Sequence, residues 1–219
     1  MKKFLYCIGL FIIGLSSPIQ AEEYAAKDFS YLIGNTGFSD KLLQMHFTLY
    51  QGYVKHTNLL MQLIKEQDPK SYAYQALKRR FGWEFDGMRL HELYFENMGG
   101  KSPISSRSNL YKQIVRDFSS FEKWKADFVA TGLMRGIGWS ILYYDAKEKK
   151  LFNAWINEHD LGHLVEGEPF LVMDVWEHAY MPEFGLDRAQ YIDTFFKTIN
   201  WEVVQKRAEG QGIRKRSND

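Results

Sequence analysis

The sequence predicts an α+β fold, with an N-terminal helical hairpin and a C-terminal α/β lobe that contains a three-stranded antiparallel sheet. Through the first half of the chain, apolar residues recur at three- and four-residue spacing, which is typical of helices. Past Gly136 the pattern changes to short β-rich runs separated by charged or proline-containing turns. Helices followed by strands, without regular alternation, indicate an α+β arrangement.

The composition is that of a globular protein and excludes several functional classes. The chain has 219 residues and a net charge of +1, which argues against the broad basic field of a nucleic-acid-binding protein. Its single cysteine, Cys7, excludes a disulfide framework within one chain and a cysteine-rich zinc module. Histidine and carboxylate side chains must therefore carry any metal chemistry.

Residues 1–21 have the features of a secretory signal peptide. Lys2 and Lys3 precede an apolar run over 5–15, and Ala21 is a small residue at the exit. The run is too short to span a bilayer comfortably, although an uncleaved membrane anchor is the alternative. We therefore expect cleavage after Ala21, an exported protein that is periplasmic or secreted, and no stable membrane span after cleavage.

The N-terminal domain, 22–100, is predicted to be a helical hairpin. A first helix over 39–66 follows Ser39 as its N-cap and carries apolar residues on one face. A proline-containing break at 67–70 separates it from a second helix over 71–98. The two helices can then lie side by side and bury their apolar faces together.

The C-terminal α/β domain, 101–208, follows a glycine-rich hinge at 99–103. Two helices are predicted over 107–135, and their aromatic residues supply the apolar faces. Two strands joined by a charged turn then read as a hairpin, and a third strand and a closing helix follow. The predicted strands are 139–144, 151–156 and 170–175, the closing helix is 187–207, and a disordered basic tail covers 209–219.

The stretch from Asp174 to Tyr180, Asp-Val-Trp-Glu-His-Ala-Tyr, carries the clearest metal-binding chemistry. Asp174 and His178 can bind one ion only if the chain turns helically after the strand that ends there. A carboxylate and an imidazole suit iron, manganese or zinc. Two further ligands are needed. His46 and His91 are the best candidates, because each lies on the inferred core-facing side of one hairpin helix.

A second histidine pair supports a different hypothesis. His159 and His163 are four residues apart with Asp160 between them, which resembles the zinc-hydrolase helix motif His-Glu-x-x-His with Asp for Glu. Such a motif would make the protein a secreted zinc hydrolase. A glycine inside the segment, and Gly167 and Pro169 after it, favour a loop between strands instead.

These residues together resemble the iron/manganese superoxide dismutase family over nearly all of the chain beyond the signal peptide. The segment 174–180 matches that family's metal-binding segment without a gap, and the surroundings of His46 and His91 match its two hairpin helices. The resemblance implies a superoxide dismutase with superoxide as substrate and one iron or manganese ion per subunit. It implies the metal ligands His46, His91, Asp174 and His178.

The resemblance also implies roles for residues around the metal. Tyr53 would stand at the substrate entrance and relay protons, and His159 would hydrogen-bond the solvent at the metal and help set its redox potential. Glu177 would reach the ligand histidine of a second subunit, so a homodimer would form through Glu177 and His178. The other residues that would surround the site are Trp139, Trp176 and Tyr180.

Departures from the family pattern bear on the metal and on activity. The first helix is one residue shorter between His46 and Tyr53, and Tyr50 replaces a histidine; the lost residue could restore a regular helix where family members have a bulge. Gly87 is the glycine of manganese-type members, whereas His159 replaces a glutamine and occurs mostly in iron-using or metal-tolerant members. Iron is therefore slightly favoured. Because of this altered helix, the alternative hypothesis is a catalytically silent metal-binding envelope protein of the same fold.

Overall fold

The computed structural model describes residues 23–213 and has an N-terminal helical hairpin beside a lobe built on a three-stranded antiparallel sheet. The predicted signal peptide and residues 214–219 lie outside the described residues. None of the helices within 23–213 has the length and apolar run needed to cross a bilayer. The elements are α1 Asp40–Glu66, α2 Tyr72–Glu96, α3 Asn109–Phe118, α4 Phe121–Gly132, β1 Gly138–Asp145, β2 Lys150–Asn157, β3 Gly167–Asp174, α5 Glu177–Phe184, α6 Arg188–Thr198 and α7 Trp201–Gly210.

Both helices of the predicted hairpin are confirmed, and serine side chains cap them. The Ser39 hydroxyl accepts a hydrogen bond from a backbone N–H in the first turn of α1, and Ser71 does the same for α2. The α1 helix is uninterrupted over its 27 residues. His46 and Tyr53 are seven residues apart, which is two helical turns, so α1 presents both on the same face.

The three predicted strands are confirmed, and β1 lies in the middle of the sheet in the order β2-β1-β3. Both pairings are antiparallel. Trp139 on β1 is opposite Asp174 at the end of β3 and opposite Ile156 on β2. This register puts the Trp139 indole and the Asp174 carboxylate at the same end of the sheet, next to the helical hairpin.

The predicted closing helix is wrong, because the structure has two helices there. α6 ends at Thr198 and α7 begins at Trp201, with Asn200 as its N-cap. The Asn200 side chain accepts from the N–H of Val203, and its own backbone N–H donates to the Asn97 carbonyl at 2.8 Å. Asparagine favours such caps over helix interiors, which explains the break.

The glycine-rich segment at 99–103 is bound to this break rather than acting as a free hinge. The N–H of Gly100 donates to the Thr198 carbonyl at 2.9 Å, and a Cβ on Gly100 would lie 2.2 Å from the Ile199 carbonyl oxygen. The glycine is therefore required by the close approach of two backbones.

The predicted disordered tail begins too early. Glu209 and Gly210 belong to α7, and Ile213 is buried. The remainder of the predicted tail, 214–219, lies outside the described residues.

Candidate metal centre

The four residues predicted as metal ligands lie together where the hairpin meets the lobe. One possible ligand atom from each of His46, His91, Asp174 and His178 lies within 4.8 Å of the others. The Nε2 atoms of His178, His46 and His91 are 3.1, 3.2 and 3.6 Å from Oδ2 of Asp174. Bonds of about 2.0–2.2 Å to one ion place its ligand atoms roughly 3–4 Å apart, so these spacings fit a single metal site.

The chain turns after β3 in the way that metal binding by Asp174 and His178 requires. β3 ends at Asp174, Trp176 is the N-cap of α5, and His178 lies in the first turn of that helix. The backbone N–H of Trp176 donates to Oδ1 of Asp174 at 2.9 Å. This bond engages one carboxylate oxygen and leaves Oδ2 facing the histidines.

The His91 ring is oriented for a ligand by its own helix. Its Nδ1 lies 2.6 Å from the Gly87 carbonyl oxygen, which can only accept, so Nδ1 carries the proton and Nε2 has a free lone pair. His91 is completely buried, and its Nε2 has no hydrogen-bond partner among the described residues. A buried polar atom without a partner is costly, and a metal ion would satisfy it.

The electrostatics favour the protonation states that bind metals. Burial lowers the pKa of His46 and lowers that of His91 further, so both imidazoles are neutral. Burial opposes the ionisation of Asp174, but His178 and His46 outweigh it and hold the pKa of that carboxyl well below its usual range. Neutral histidine and ionised aspartate are the forms that coordinate a metal.

The two predicted catalytic residues, Tyr53 and His159, are in direct contact. Nε2 of His159 lies 2.7 Å from the Tyr53 hydroxyl, and Nδ1 accepts from the indole N–H of Trp139 at 3.2 Å. The His159 ring stacks on Trp176 with 4.5 Å between ring centroids. Burial lowers the pKa of His159 to about 4 and raises that of Tyr53 well above its ordinary value.

The structure explains why position 87 holds glycine. A Cβ on Gly87 would lie 2.7 Å from the Tyr53 ring, so a longer side chain there would displace Tyr53. The polar side chain that contacts Tyr53 is instead that of His159, in the turn after β2.

Sequence reasoning missed three aromatic residues that support this site. The Tyr191 hydroxyl donates to the backbone carbonyl of Asp174 at 2.5 Å and also contacts the Tyr94 hydroxyl. Trp83 meets His159 edge-on, with 5.1 Å between ring centroids. Trp83 could have been predicted from its spacing, because it precedes Gly87 and His91 by four and eight residues and so lies on the same face of α2. Tyr191 and Tyr94 had no such signal, since aromatic residues are common throughout the chain.

The remaining predicted residues, Glu177 and Tyr180, lie in α5 next to His178. Glu177 is exposed, and the His178 side chain is 26% exposed. The Tyr180 hydroxyl accepts from Arg188 at 3.0 Å, and the Tyr180 ring packs against Tyr191. Tyr180 thus packs against the residue whose hydroxyl donates to the Asp174 backbone carbonyl.

The zinc-hydrolase hypothesis is wrong, because His159 and His163 do not lie on a helix. Their segment is a turn closed by a bridge between Asn157 and Leu161. Nε2 of His163 bonds to the His159 backbone carbonyl at 2.8 Å, and its Nδ1 lies 2.8 Å from the Tyr143 hydroxyl. Both ring nitrogens of His163 therefore have protein partners, and the two imidazoles do not converge on one point.

Comparison with known proteins agrees with this geometry. Residues 106–207 match the family model of the C-terminal domain of iron/manganese superoxide dismutases. An iron superoxide dismutase of Cupriavidus metallidurans is 35% identical over 179 residues, which cover 78% of this chain and 89% of the relative.

Relatives named for either metal are similar to the chain at comparable levels. An iron superoxide dismutase of Pyrobaculum aerophilum is 31% identical over 78% of this chain and 84% of its own. A manganese superoxide dismutase of Haloferax volcanii is 32% identical over 78% of this chain and 87% of its own. With the fold, the four converging side chains and these similarities in agreement, the chain belongs to the iron/manganese superoxide dismutase family.

Proposed function

We propose that this chain is a superoxide dismutase that uses one metal ion held by His46, His91, Asp174 and His178. Two superoxide anions and two protons become dioxygen and hydrogen peroxide. The observation that carries the proposal is the convergence of three imidazole nitrogens on one buried carboxylate oxygen, within 3.6 Å, in a member of this family. Iron or manganese, when bound, supplies the one-electron redox chemistry that both half-reactions require.

The choice between iron and manganese rests on the donor set and on one neighbouring residue. Three neutral imidazoles and a carboxylate suit either metal. The relatives include both kinds, so they do not separate the two. His159 in place of a glutamine favours iron slightly. Metal analysis of protein expressed with both metals in the medium tests this preference.

The hydrogen bonds around His159 determine where protons are held. The indole N–H of Trp139 can only donate, so Nδ1 of His159 accepts and Nε2 carries the proton. That proton is donated to the Tyr53 oxygen at 2.7 Å. The Tyr53 hydroxyl hydrogen is then free to be donated to a substrate oxygen, and the raised pKa of Tyr53 keeps it protonated. Tyr53 can thus deliver a proton to developing peroxide.

Indole side chains exclude water from this region. Trp139 is completely buried, Trp176 stacks on His159, and Trp83 meets both His159 and Trp176 edge-on. A dry surrounding strengthens the charge interactions between an anionic substrate and the site.

The features that motivated a catalytically silent protein of the same fold do not disturb the site. The shortened α1 still presents His46 and Tyr53 toward the centre, where they contact Asp174 and His159. Tyr50, in place of the family's histidine, donates to Glu92 at 3.0 Å, away from the four metal-binding atoms.

The active form is a homodimer joined through Glu177 and His178. What supports this is the exposure of Glu177 at the start of α5, directly beside a partly exposed candidate ligand. A carboxylate of one subunit can accept a hydrogen bond from a ligand histidine of the other, which would orient that ligand. Sedimentation velocity on wild type and Glu177→Ala tests the dimer, and a monomeric wild type would contradict it.

The protein acts outside the cytoplasm after removal of residues 1–21. The support is the charged start, the apolar run and the small residue at the exit in the sequence alone. Cell fractionation with N-terminal sequencing of the product tests this, and a cytosolic product that keeps Met1 would contradict it.

One experiment tests the function directly. Purified protein is analysed for metal and then mixed with superoxide, whose decay is followed by absorbance. We expect catalytic decay in proportion to bound iron or manganese. Protein that holds a full equivalent of either metal without consuming superoxide would overturn the proposal.

A further inference from the structure

The His163 side chain binds the turn that carries His159, and nothing in the reaction described above uses it. We propose that His163 is a positioning residue, which holds this turn so that the His159 ring stays between Trp139 and Tyr53. The inference rests on the proposed function only in that it requires His159 to act in the superoxide reaction.

His163 makes its first contact with the backbone of His159. Its Nε2 lies 2.8 Å from the His159 carbonyl oxygen, which can only accept, so Nε2 carries the proton and donates it. The bond fixes the main chain at His159 itself. A shift of that main chain would move the whole imidazole relative to the metal-binding atoms.

His163 makes its second contact with the central strand of the sheet. Because Nε2 carries the proton, Nδ1 of the neutral ring accepts from the Tyr143 hydroxyl at 2.8 Å. Tyr143 is almost completely buried in β1, and burial raises its pKa well above the ordinary value, so the hydroxyl keeps its proton. His163 therefore connects the turn to the most buried strand of the sheet.

The turn needs such support because its own backbone is unfavourable. Glu158, directly before His159, has φ +55°, a conformation that non-glycine residues rarely adopt. The turn is closed at its base by bonds between Asn157 and Leu161, at 2.9 and 3.3 Å. At its tip, the His163 bond to the His159 carbonyl holds the main chain in place.

His163 also faces α2 near the ligand His91. Oδ2 of Asp86 is 3.7 Å from Nε2 of His163, which is beyond hydrogen-bond distance. Asp86 precedes Gly87, whose carbonyl accepts from His91. The His163 side chain is one-third exposed, so a substitution there leaves the core intact.

The test replaces the hydrogen bonds of His163 in metal-loaded enzyme. His163→Leu removes both bonds, and we expect at least a tenfold lower turnover number with unchanged metal content and folding. His163→Gln places an amide N–H near the position of Nε2, so it should restore turnover to within about threefold of wild type. If His163 only filled space, the leucine and glutamine variants would have the same turnover number.

A second pair of variants tests the contact with the sheet. Tyr143→Phe removes the donor to Nδ1 and should lower turnover in the same direction as His163→Leu, by a smaller factor. The matched control is Tyr144→Phe on the same strand. Tyr144 is also buried and stacks on Phe170, and its hydroxyl makes no hydrogen bond within the described residues, so turnover should be unchanged.

Crystal structures of wild type and His163→Leu separate this inference from the proposed function. We expect the His159 ring of the variant to lie beyond hydrogen-bond distance of the Trp139 indole nitrogen. An unmoved His159 would overturn the positioning role, whatever the activity. Equal turnover of His163→Leu and wild type, or equal losses in the leucine and glutamine variants, would also overturn it. A metal-loaded wild type without activity would instead overturn the proposed function.

Discussion

Two segments of this chain place metal-ligating side-chain types four residues apart, and only one of them contributes to a group of residues that could hold a metal ion. Asp174 and His178 approach each other to 3.1 Å and share their surroundings with two further histidines. His159 and His163 have the same spacing, yet their rings bind different partners, and His163 bonds to the His159 main chain.

The backbone between the residues makes the difference. After Asp174 the chain leaves β3 and enters α5 within three residues, so the aspartate and the histidine point to the same side. After His159 the chain is in a turn with positive φ at Glu158 and Gly162, and no helical face exists. A four-residue spacing therefore leads to convergence only where the backbone between the two residues turns both side chains to the same side, as the strand-to-helix turn after Asp174 does.

The largest expected effect is the loss of metal from Asp174→Asn. The change keeps the shape of the side chain but removes the charge and a ligand oxygen that three imidazoles approach. We expect metal affinity to fall by more than about 100-fold, since changes in outer partners alone cost 10–100-fold. Metal analysis after dialysis measures it, with His163→Ala as the control that keeps full metal content. Loss of metal from His163→Ala, with full metal content in Asp174→Asn, would contradict the assignment of Asp174 as a metal ligand.

The next effect concerns turnover without metal loss. Tyr53→Phe and His159→Leu remove the hydrogen bond that joins the two residues, and we expect each to lower kcat by roughly 10–100-fold while the metal stays bound. Stopped-flow superoxide decay, normalised to metal content, measures this. The control is His56→Leu, a histidine on α1 whose side chain is 55% exposed. Wild-type turnover in both site variants would refute the assigned roles.

Removal of the metal should lower thermal stability by a moderate amount. A metal that saturates its site at 100 times its Kd stabilises the fold by about 2.7 kcal/mol. For a chain of this length that corresponds to roughly 5–10 °C in Tm. Calorimetry with and without a chelator measures the shift. Asp174→Asn should show no chelator effect, and an equal shift in that variant would mean that the metal binds elsewhere.

The smallest effect is expected at Asp86, beside His163. Burial raises its pKa, His163 opposes this and Asp160 adds to it. When the folded state raises the pKa of a carboxyl group, the contribution of that group to the free energy of unfolding is greatest at low pH. This contribution is lost as the pH rises through the pKa of the folded state. Asp86→Asn should therefore be slightly more stable than wild type at pH 7. The difference should vanish near pH 4, as chemical denaturation at both values would show, and a variant less stable at pH 7 would contradict this.

Much of the fold could be predicted because local patterns and tertiary structure agree. The N-cap at Ser39, the three- to four-residue apolar spacing and the proline-containing break at 67–70 predicted the hairpin helices, and the charged turn at 145–150 predicted the β-hairpin. The break at Asn200 was missed because the apolar pattern continues across it. The main-chain bond to Asn97 that stabilises the break involves a residue about 100 positions away along the chain.

The four candidate metal ligands were predicted from the motif at 174–180 and from one histidine on each hairpin helix. The residues that hold these side chains in place were not predicted. His46 and His91 could be predicted as metal ligands because each hairpin helix has one core-facing histidine. The roles of Tyr191 and His163 depend on main-chain carbonyls, of Asp174 and His159 respectively, and carbonyl positions leave no trace in side-chain patterns. Contacts of this kind become visible only with coordinates.

Metal binding by the four candidate ligands is tested most directly by an anomalous difference map from crystals of protein loaded with iron or manganese, recorded at the absorption edge of that metal. We expect one strong peak per chain, about 2 Å from Oδ2 of Asp174 and from Nε2 of His46, His91 and His178. A peak at His159 and His163, with none at these four atoms, would contradict it.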